Sequence, residues 1–426
     1  MKKYLNMIRK YHHYRQYKKL LKYKQRYSKY GPDYRTVINN YEYLMNRFYL
    51  VILHFFYLFP VKKNRIIFMS FEAKKYSCNP RRISEYIAKN YPGEFEIIWA
   101  IKDAESFEWL KDWGCTKVIE AYSAKFYRYA LTSKVFIYNM RIPAMIPFRK
   151  NQLTIGTGHG GGAYKKLLLD NPNIHNADRK IQALSASHTN ILVSSCKYYT
   201  EYVVRGAFAH TGECIECGMP RNDELVNNHD SKMSDYIHKY YNIPKEHKII
   251  LYAPTYRKGK RNEATDYNLD VKGIAEAAKE RFGGEWTILY RMHYFIKKRL
   301  PADCNGQNII DVTDYYDMQD LLLTADILIT DYSSSVWDYS LLKRPCFLYT
   351  TDLDDYLETQ GFYVDVRDWP FPLAKDNETL VDNILHFDEE DYLKAVHKHH
   401  TDLGSFDNGT ATKTLANRIH KECFGV

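Results

Sequence analysis

Short runs of apolar and β-branched residues alternate with amphipathic stretches from residue 65 to the end of the chain. The runs have the length and composition of buried strands, and the stretches between them, such as 80–90, have the spacing of helices. The predicted strands are 65–69, 95–100, 134–138, 153–155 and 190–193 in a first series and 248–252, 286–290, 308–310, 326–330 and 345–349 in a second. A final helix is predicted at 411–423.

Strands that alternate with helices form parallel sheets covered by helices on both faces. Two series therefore predict an α/β protein with two doubly wound, Rossmann-like domains, at 61–225 and 226–426, joined through the polar stretch 221–246. The 426 residues fit two such domains and an N-terminal extension. Ligands of these folds bind at the C-terminal ends of the strands, so we expect a site in the cleft between the domains.

The extension, residues 1–60, holds the positive charge of the chain. It has 13 Lys and Arg against two acids, whereas the whole chain has 61 against 51. Tyrosines recur on one side of a helix predicted over 1–30, and an apolar run at 48–59 ends at Pro60. That run is shorter than the roughly 20 residues a spanning helix needs.

A basic helix beside a short apolar helix is typical of a surface that lies on anionic lipid, and this is the interpretation we favour. A basic tail followed by an ordinary buried helix is the simpler alternative. Nucleic acid is the third, because tyrosines stack on bases, but the nearly neutral body of the chain argues against it.

Cysteine usage indicates a reducing compartment, since eight cysteines are too scattered for a disulfide scaffold. Cys214 and Cys217 form one CxxC, and no second pair has zinc-finger spacing, so we expect two unpaired thiols.

We expect no metal at Asp352 and Asp354, and we interpret the histidines near the end of the chain as a solvated helix end. Those histidines are His397, His399 and His400.

A glycine-rich loop at 155–166 follows a predicted strand and contains His159. Exposed backbone N–H groups in such a loop can approach an anion, and histidine is the usual general base near neutrality. The loop also matches a dinucleotide-binding pattern, although any run of glycines matches that pattern easily, so the match alone is weak. The simplest alternative is a tight turn with a bystander histidine. Two lysines follow, Lys165 and Lys166.

Arg291 and His293 lie two residues apart at the end of a predicted strand, so both point to one side and can grip a phosphate. A structural histidine is the alternative. Asp331 precedes Ser333, Ser334 and Ser335, where another strand runs into a helix. Serine hydroxyls beside the free N–H groups of a helix start favour a bound phosphate, while a plain helix cap needs only one of them.

Several segments occur together in a recognisable order between about 65 and 370. The segments are Asn79-Pro80, Trp99, Gly218 to Asp223, Tyr252 to Arg257, Leu321 to Leu323, Ala325-Asp326, Thr330 to Ser334, Asp338-Tyr339, Lys343-Arg344-Pro345 and Gly361-Phe362-Tyr363. With the histidine motifs, they make the chain resemble the CDP-glycerol glycerophosphotransferase family of teichoic acid synthesis. The resemblance implies a GT-B arrangement of two Rossmann-like domains, the first on the acceptor side and the second binding a CDP-alditol donor. It also implies a peripheral enzyme at the cytoplasmic face of the membrane.

The implied reaction transfers glycerol phosphate from CDP-glycerol to a hydroxyl of a lipid-linked saccharide, in teichoic acid or related cell-wall or capsular synthesis, and releases CMP. The resemblance gives His159 the role of general base and makes His293 a second catalytic residue. The other implied substrate-binding residues are Arg291, Asp331, Ser333, Ser334, Ser335, Lys165, Lys166, Thr255 and Arg257. The chain departs from the family where Gly160, Gly161 and Gly162 replace the usual Thr and Pro after the histidine.

Three alternatives to this function stay open: a CDP-ribitol-dependent transferase, a GT-B nucleotide-sugar glycosyltransferase, and a non-catalytic binding protein. We expect no cofactor, because the cations of the protein can cover the charge of the leaving CMP, and we leave a divalent ion open. The expected partners are the donor, the acceptor and an anionic membrane surface through residues 1–60.

Overall fold

The computed structural model describes residues 33–171, 174, 176–227, 232–255, 269–292, 308–359 and 361–425. Two parallel sheets, one in each half of the chain, organise these residues. In one interior strand of the first sheet, Ile66 and Phe68 enter one core while Ile67 and Met69 enter another. Because neighbouring side chains of a strand point to opposite faces, the sheet is buried on both sides.

The first sheet has seven strands in the order β3-β2-β1-β4-β5-β6-β7. They are β1 (Lys62–Met69), β2 (Glu96–Ile101), β3 (Lys117–Glu120), β4 (Ser133–Tyr138), β5 (Leu153–Gly156), β6 (Ile191–Ser194) and β7 (Glu213–Glu216). All pairings are parallel. The order reverses between β1 and β4, which opens a crevice at the C-terminal ends of the strands.

The second sheet has six parallel strands in the order β10-β9-β8-β11-β12-β13. They are β8 (His247–Tyr252), β9 (Glu285–Tyr290), β10 (Ile309–Asp311), β11 (Ile327–Thr330), β12 (Cys346–Tyr349) and β13 (Leu373–Ala374). Its order reverses between β8 and β11. The predicted fold of two parallel-sheet α/β domains is therefore confirmed.

Helices fill the connections. The α-helices are α1 (Asp33–Leu53), α2 (Cys78–Asn90), α3 (Ala124–Thr132), α4 (Asn176–Ser187), α5 (Asp223–Asn227), α6 (Lys232–Tyr240), α7 (Val271–Phe282), α8 (Met318–Thr324), α9 (Ser335–Ser340), α10 (Leu353–Thr359), α11 (Asn377–Leu385), α12 (Glu389–Asp402) and α13 (Ala411–Phe424). A π-helix covers Tyr199–Ala207, and 3₁₀ turns cover Phe71–Ala73, Ala104–Trp113, Leu168–Asp170, Pro220–Asn222 and Val366–Asp368. Several helices start at a capping side chain, as where Ser123 accepts from the N–H of Phe126.

All ten predicted strands are present, with ends that differ by a few residues. The prediction missed β3, β7 and β13. β3 and β7 lie at the edges of the first sheet and β13 is a two-residue strand at the edge of the second, so none presents a long apolar run. Cys214 and Cys217 are both free thiols, as expected.

The apolar run at 48–59 is helical, as predicted. It forms the end of α1 and a 3₁₀ turn at His54–Leu58. The helix predicted over 1–30 lies outside the described residues. Within the described ranges, no helix combines the length and apolar character needed to cross a bilayer.

The last helix returns to the first half of the chain. α13 packs against α2 and β1, its Phe424 ring lies 5.2 Å from the Phe95 ring, and Glu422 pairs with Lys134 at 2.7 Å. The chain therefore passes between the two sheets twice, once after β7 and once before α13.

Candidate active site

Buried charges join the two halves beside the crevice. Arg81, in α2, contacts Asp317 at 2.8 Å and Asp320 at 3.0 Å, and its neighbour Arg82 contacts Asp320 at 2.9 Å. All four side chains are buried. The two arginines hold the pKa of Asp317 below its usual value despite its burial. This contact could not be predicted from the sequence, because the partners are more than 230 residues apart in the chain.

The predicted glycine loop leaves the C-terminal end of β5 and carries His159 into the crevice. Gly158 and Gly162 have φ angles of +63° and +62°, a conformation that residues with a Cβ rarely adopt. The ring of Phe71 packs edge-on against the imidazole, with 5.6 Å between centroids. Phe71 belongs to a turn at the end of β1, so loops that follow two strands of the first sheet, β1 and β5, frame the histidine.

The tautomer of His159 follows from its hydrogen bond. Its Nδ1 lies 2.9 Å from the carbonyl oxygen of Asn139. A carbonyl oxygen only accepts, so Nδ1 carries the hydrogen and Nε2 keeps its lone pair. Crowding by protein atoms lowers the pKa of His159 by desolvation, and the Arg221 guanidinium lowers it further. The imidazole nevertheless faces a water-accessible crevice, so a neutral base is available to a ligand there.

Two side chains hold the backbone of the loop. Asn79, at the start of α2, donates to the carbonyl oxygens of Thr157 and Gly158 at 3.0 Å each. Arg221 donates to the carbonyl oxygen of His159 at 2.6 Å and pairs with Asp338 of the second half at 2.5 Å. In the sequence, Asn79 and Arg221 stand out only as members of segments that resemble the family. That resemblance is the signal from which a role for them could have been inferred.

A cavity of about 480 Å³ opens at this point. Its lining includes His159, Lys165 and Glu72 from the first half and Ser334 from the second. A methyl group built on Gly160 would lie 2.9 Å from the Ser334 hydroxyl. The structure thus brings the predicted base and the predicted serine cluster into one crevice.

Within that cluster, Ser333 accepts from the hydroxyl of Ser335 at 2.9 Å and from its N–H at 3.2 Å. Both oxygens of the buried Asp331 carboxylate accept from the N–H of Thr255, at 3.0 and 2.9 Å. Asp331, which lies two residues before Ser333, therefore orders the loop after β8.

The other predicted residues lie around this centre. Arg291, at the end of β9, has its Nη1 buried without a hydrogen-bond partner among the described residues. Burial lowers the pKa of Arg291, and nearby Asp317 opposes that effect. Arg291 does not line the cavity that contains His159. His293 and Arg257 lie outside the described residues.

Lys165 and Lys166 tie the glycine loop to the second half. Lys165 forms a backbone bridge with Phe362, and the N–H of Lys166 donates to the carbonyl oxygen of Gly361 at 3.1 Å. The ammonium of Lys165 lies 5.5 Å from the centre of the Tyr356 ring and faces the cavity.

The interpretation of the late histidines as a solvated helix end is wrong for two of them. His399 is buried and bonds the hydroxyl of Tyr164 at 2.9 Å, and His400 bonds the hydroxyl of Ser340 at 2.7 Å. Burial lowers the pKa of each to about 4. One face of α12 packs against the domain interface, which the sequence pattern did not reveal. Within the described ranges, no group of three or more His, Cys, Asp or Glu is arranged to hold a metal.

Comparison with known proteins gives consistent matches. The profile of the CDP-Glycerol:Poly(glycerophosphate) glycerophosphotransferase family matches residues 51–421. A teichoic acid poly(glycerol phosphate) polymerase of Bacillus subtilis is 30% identical over 85% of this chain and 49% of its own length. A polymerase of the same description from Bacillus spizizenii is 32% identical over 82% of this chain and 90% of its own.

A teichoic acid glycerol-phosphate transferase of Staphylococcus aureus is 30% identical over 84% of this chain and 93% of its own length. Among solved structures, the wall teichoic acid polymerase TagF, in a variant soaked with CDPG, superposes with a TM-score of 0.76 at 30% identity, covering 91% of this chain and 98% of that one. The chain spans about half the length of the first curated relatives that it matches.

Proposed function

Because the chain belongs to the CDP-glycerol:poly(glycerophosphate) glycerophosphotransferase family, we propose that it transfers glycerol phosphate from CDP-glycerol to a hydroxyl of a lipid-linked teichoic acid acceptor. The observation that carries this proposal is the shared crevice, in which a neutral imidazole of the first half faces the serine cluster of the second. Phosphoryl transfer relies on aligning two substrates and stabilising charge, and a cleft between two domains serves both purposes.

In the proposed mechanism, Nε2 of His159 takes the proton of the acceptor hydroxyl. The hydroxyl oxygen then bonds to the phosphorus that carries glycerol, and the bond to the oxygen bridging the two phosphates breaks. CMP leaves with that electron pair. A base of this kind contributes typically about 10²–10⁴ in rate. Asn139 supports the role, because its bond to Nδ1 directs the lone pair of the other nitrogen outward.

On the donor side, we assign the diphosphate to Ser333, Ser334 and Arg291. Nη1 of Arg291 is buried and has no hydrogen-bond partner among the residues that the structure describes. This supports its part, because a buried N–H without an acceptor is costly unless a ligand completes it. Lys165 faces the cavity from the loop that carries the base, which suits the phosphate of an acceptor. His293 and Arg257 are assigned to the donor by resemblance alone, as is Thr255.

We also propose that the protein lies on the cytoplasmic face of an anionic membrane through residues 1–60. Along α1 and the turn after it, one row of side chains faces solvent: Leu44, Phe48, Val51, Ile52, Phe55 and Leu58, each 50% or more exposed. Their spacing places them on one helical face. The opposite side is anchored, since Arg149 donates to the carbonyl oxygens of Phe56 and Phe59 at 2.6 and 2.8 Å. The excess of basic residues before this row favours anionic lipid.

Release of CMP tests the activity. The full chain is incubated with CDP-glycerol and a panel of prenyl-diphosphate-linked saccharides, and with CDP-ribitol or UDP-sugars in parallel. Acceptor-dependent release of CMP from CDP-glycerol is expected. Release from CDP-ribitol or turnover of a UDP-sugar alone would instead identify one of the alternative transferases.

A further inference from the structure

Helix α9 of the second half lies directly against the loop that carries His159. Its Trp337 is completely buried, and its indole N–H donates to Asp407 at 2.8 Å. Asp407 in turn accepts from the N–H of Met219 in the first half at 2.8 Å. Trp337 is therefore fixed in place by a hydrogen bond and cannot move aside freely.

The glycines after His159 form the surface on which Trp337 packs. A methyl group built on Gly161 would lie 2.0 Å from Cδ1 of Trp337, and one on Gly162 would lie 2.9 Å from Cε3. Atoms this close overlap, so the loop reaches its observed position only because these residues lack a Cβ. The Gly-Gly-Gly sequence thus has a packing role beyond the backbone N–H groups that it exposes.

The residue after Trp337 holds the loop from its other side. Asp338 contacts Nη2 of Arg221 at 2.5 Å, and the same guanidinium donates to the carbonyl oxygen of His159 at 2.6 Å. Gln319 donates to Asp338 at 2.9 Å and fixes its orientation. Asp338 and Arg221 are both buried, where charge-assisted bonds are stronger than in water.

We infer that Trp337 and Asp338 are positioning residues that set the place of the His159 imidazole relative to the donor in the cleft. This inference rests on the proposed function, in which His159 is the base. One helix contacts the loop at two points, through the glycines and through Arg221, and it begins at the serine cluster. Asn139 and Arg221 of the first half hold the histidine directly. Trp337 and Asp338 of the second half add contacts to the same loop and to Arg221, so the full set of contacts exists only when both halves are closed on each other.

Gly161→Ala tests the packing contact. A misplacement of about 1 Å can cost about 100-fold in rate, so we expect kcat for CMP release to fall by about that factor. Calorimetry should find the dissociation constant for CDP-glycerol unchanged, because no donor-binding side chain is altered. Adding Trp337→Leu to Gly161→Ala removes the overlap and should restore part of kcat, a non-additive result in a double-mutant cycle.

Gly160→Ala is the matched control in the same loop. Its Cβ would lie 2.9 Å from the Ser334 hydroxyl and 3.2 Å from the Ser334 Cβ. This overlap is milder than the 2.0 Å approach to Trp337 in Gly161→Ala, so kcat should fall less. Asp338→Asn tests the second contact without added volume, and we expect kcat about tenfold lower with donor affinity retained. Thermal unfolding checks that each variant is folded.

The outcomes separate this inference from the proposed function. If His159→Asn is inactive while Gly161→Ala and Asp338→Asn keep the kcat of the wild type, the positioning role is wrong and the proposed function stands. Equal losses in Gly160→Ala and Gly161→Ala, or strict additivity with Trp337→Leu, would also overturn it. If His159→Asn keeps the kcat of the wild type, the proposed base itself is wrong.

Discussion

Nη1 of Arg221 donates a 2.6 Å hydrogen bond to the carbonyl oxygen of His159, while Nδ1 of the same histidine donates to Asn139 at 2.9 Å. The candidate base is thus held through its backbone and through its ring. A group fixed at both points has few rotamers to lose when substrate binds, which favours a rapid proton transfer.

Replacement of the base should remove most of the activity. We expect His159→Asn to lower kcat at least about 100-fold, because a general base contributes about 10²–10⁴ in rate. The measurement is CMP release at saturating CDP-glycerol, with thermal unfolding as the check of folding. Near-normal turnover would show that another group accepts the proton.

The pH profile should report the environment of His159. Desolvation and the Arg221 charge lower its pKa, so the imidazole stays neutral to a pH below the ordinary value of about 6.5. Since the neutral form is the active one, kcat should stay flat as pH falls through 6.5 and decline only at lower pH. A decline that begins well above pH 6.5 would contradict the assignment.

Lys75 should make the KM for CDP-glycerol depend on pH in the alkaline range. Burial lowers the pKa of Lys75 to about 8, and the charge of nearby Arg291 contributes. As pH rises through about 8, the ammonium loses its proton and the positive field beside Arg291 weakens. The KM for CDP-glycerol should therefore rise above pH 8 in the wild type. Lys75→Arg keeps the charge at this pH, so its KM should not rise above pH 8. A KM that is independent of pH in both proteins would show that Lys75 does not affect donor binding.

The buried charges between the halves should matter for stability. Asp320→Asn leaves Arg81 and Arg82 short of a buried counter-charge, and removing one partner of such a group typically costs about 3–5 kcal/mol. Urea unfolding measures the loss. The exposed pair of Glu390 and Lys394 gives the control, since Glu390→Gln should leave the unfolding midpoint unchanged.

Membrane binding should depend on the exposed apolar row of α1. Val51→Asp combined with Leu58→Asp places two charges in that row and should abolish flotation with anionic vesicles. Tyr236→Asp, at an exposed residue of the second half, is the charge control and should float normally. Equal flotation of both variants would show that the row does not face lipid.

The local features of this protein could be read from its sequence. The apolar runs that form interior strands, such as Ile66 to Phe68, consist of residues that are buried in the structure, so their composition alone predicted their burial. The glycine loop and the serine cluster could be read because each lies within one short segment after a strand. Both are determined by neighbouring residues, which is the range over which sequence patterns are informative.

The contacts that complete the site could not be read in the same way. Asp407 reaches Trp337 across 70 positions, and Arg81 reaches Asp317 across 236. Each of these residues is polar or aromatic in a locally ordinary segment, and only the folded chain brings its partner to it. The prediction that His399 is exposed failed for the same reason, since its helix also carries exposed charges.

The return of α13 has a consequence for dissecting the protein. Its Phe424 and Glu422 cover the first sheet by contacts with Phe95 and Lys134. A fragment that contains only the first sheet would leave this hydrophobic surface exposed. The surface would be covered again only if the fragment bound α13 of the other piece. Complementation of two separately expressed fragments should therefore need the last fifteen or so residues, while a catalytic half cannot be isolated by simple truncation.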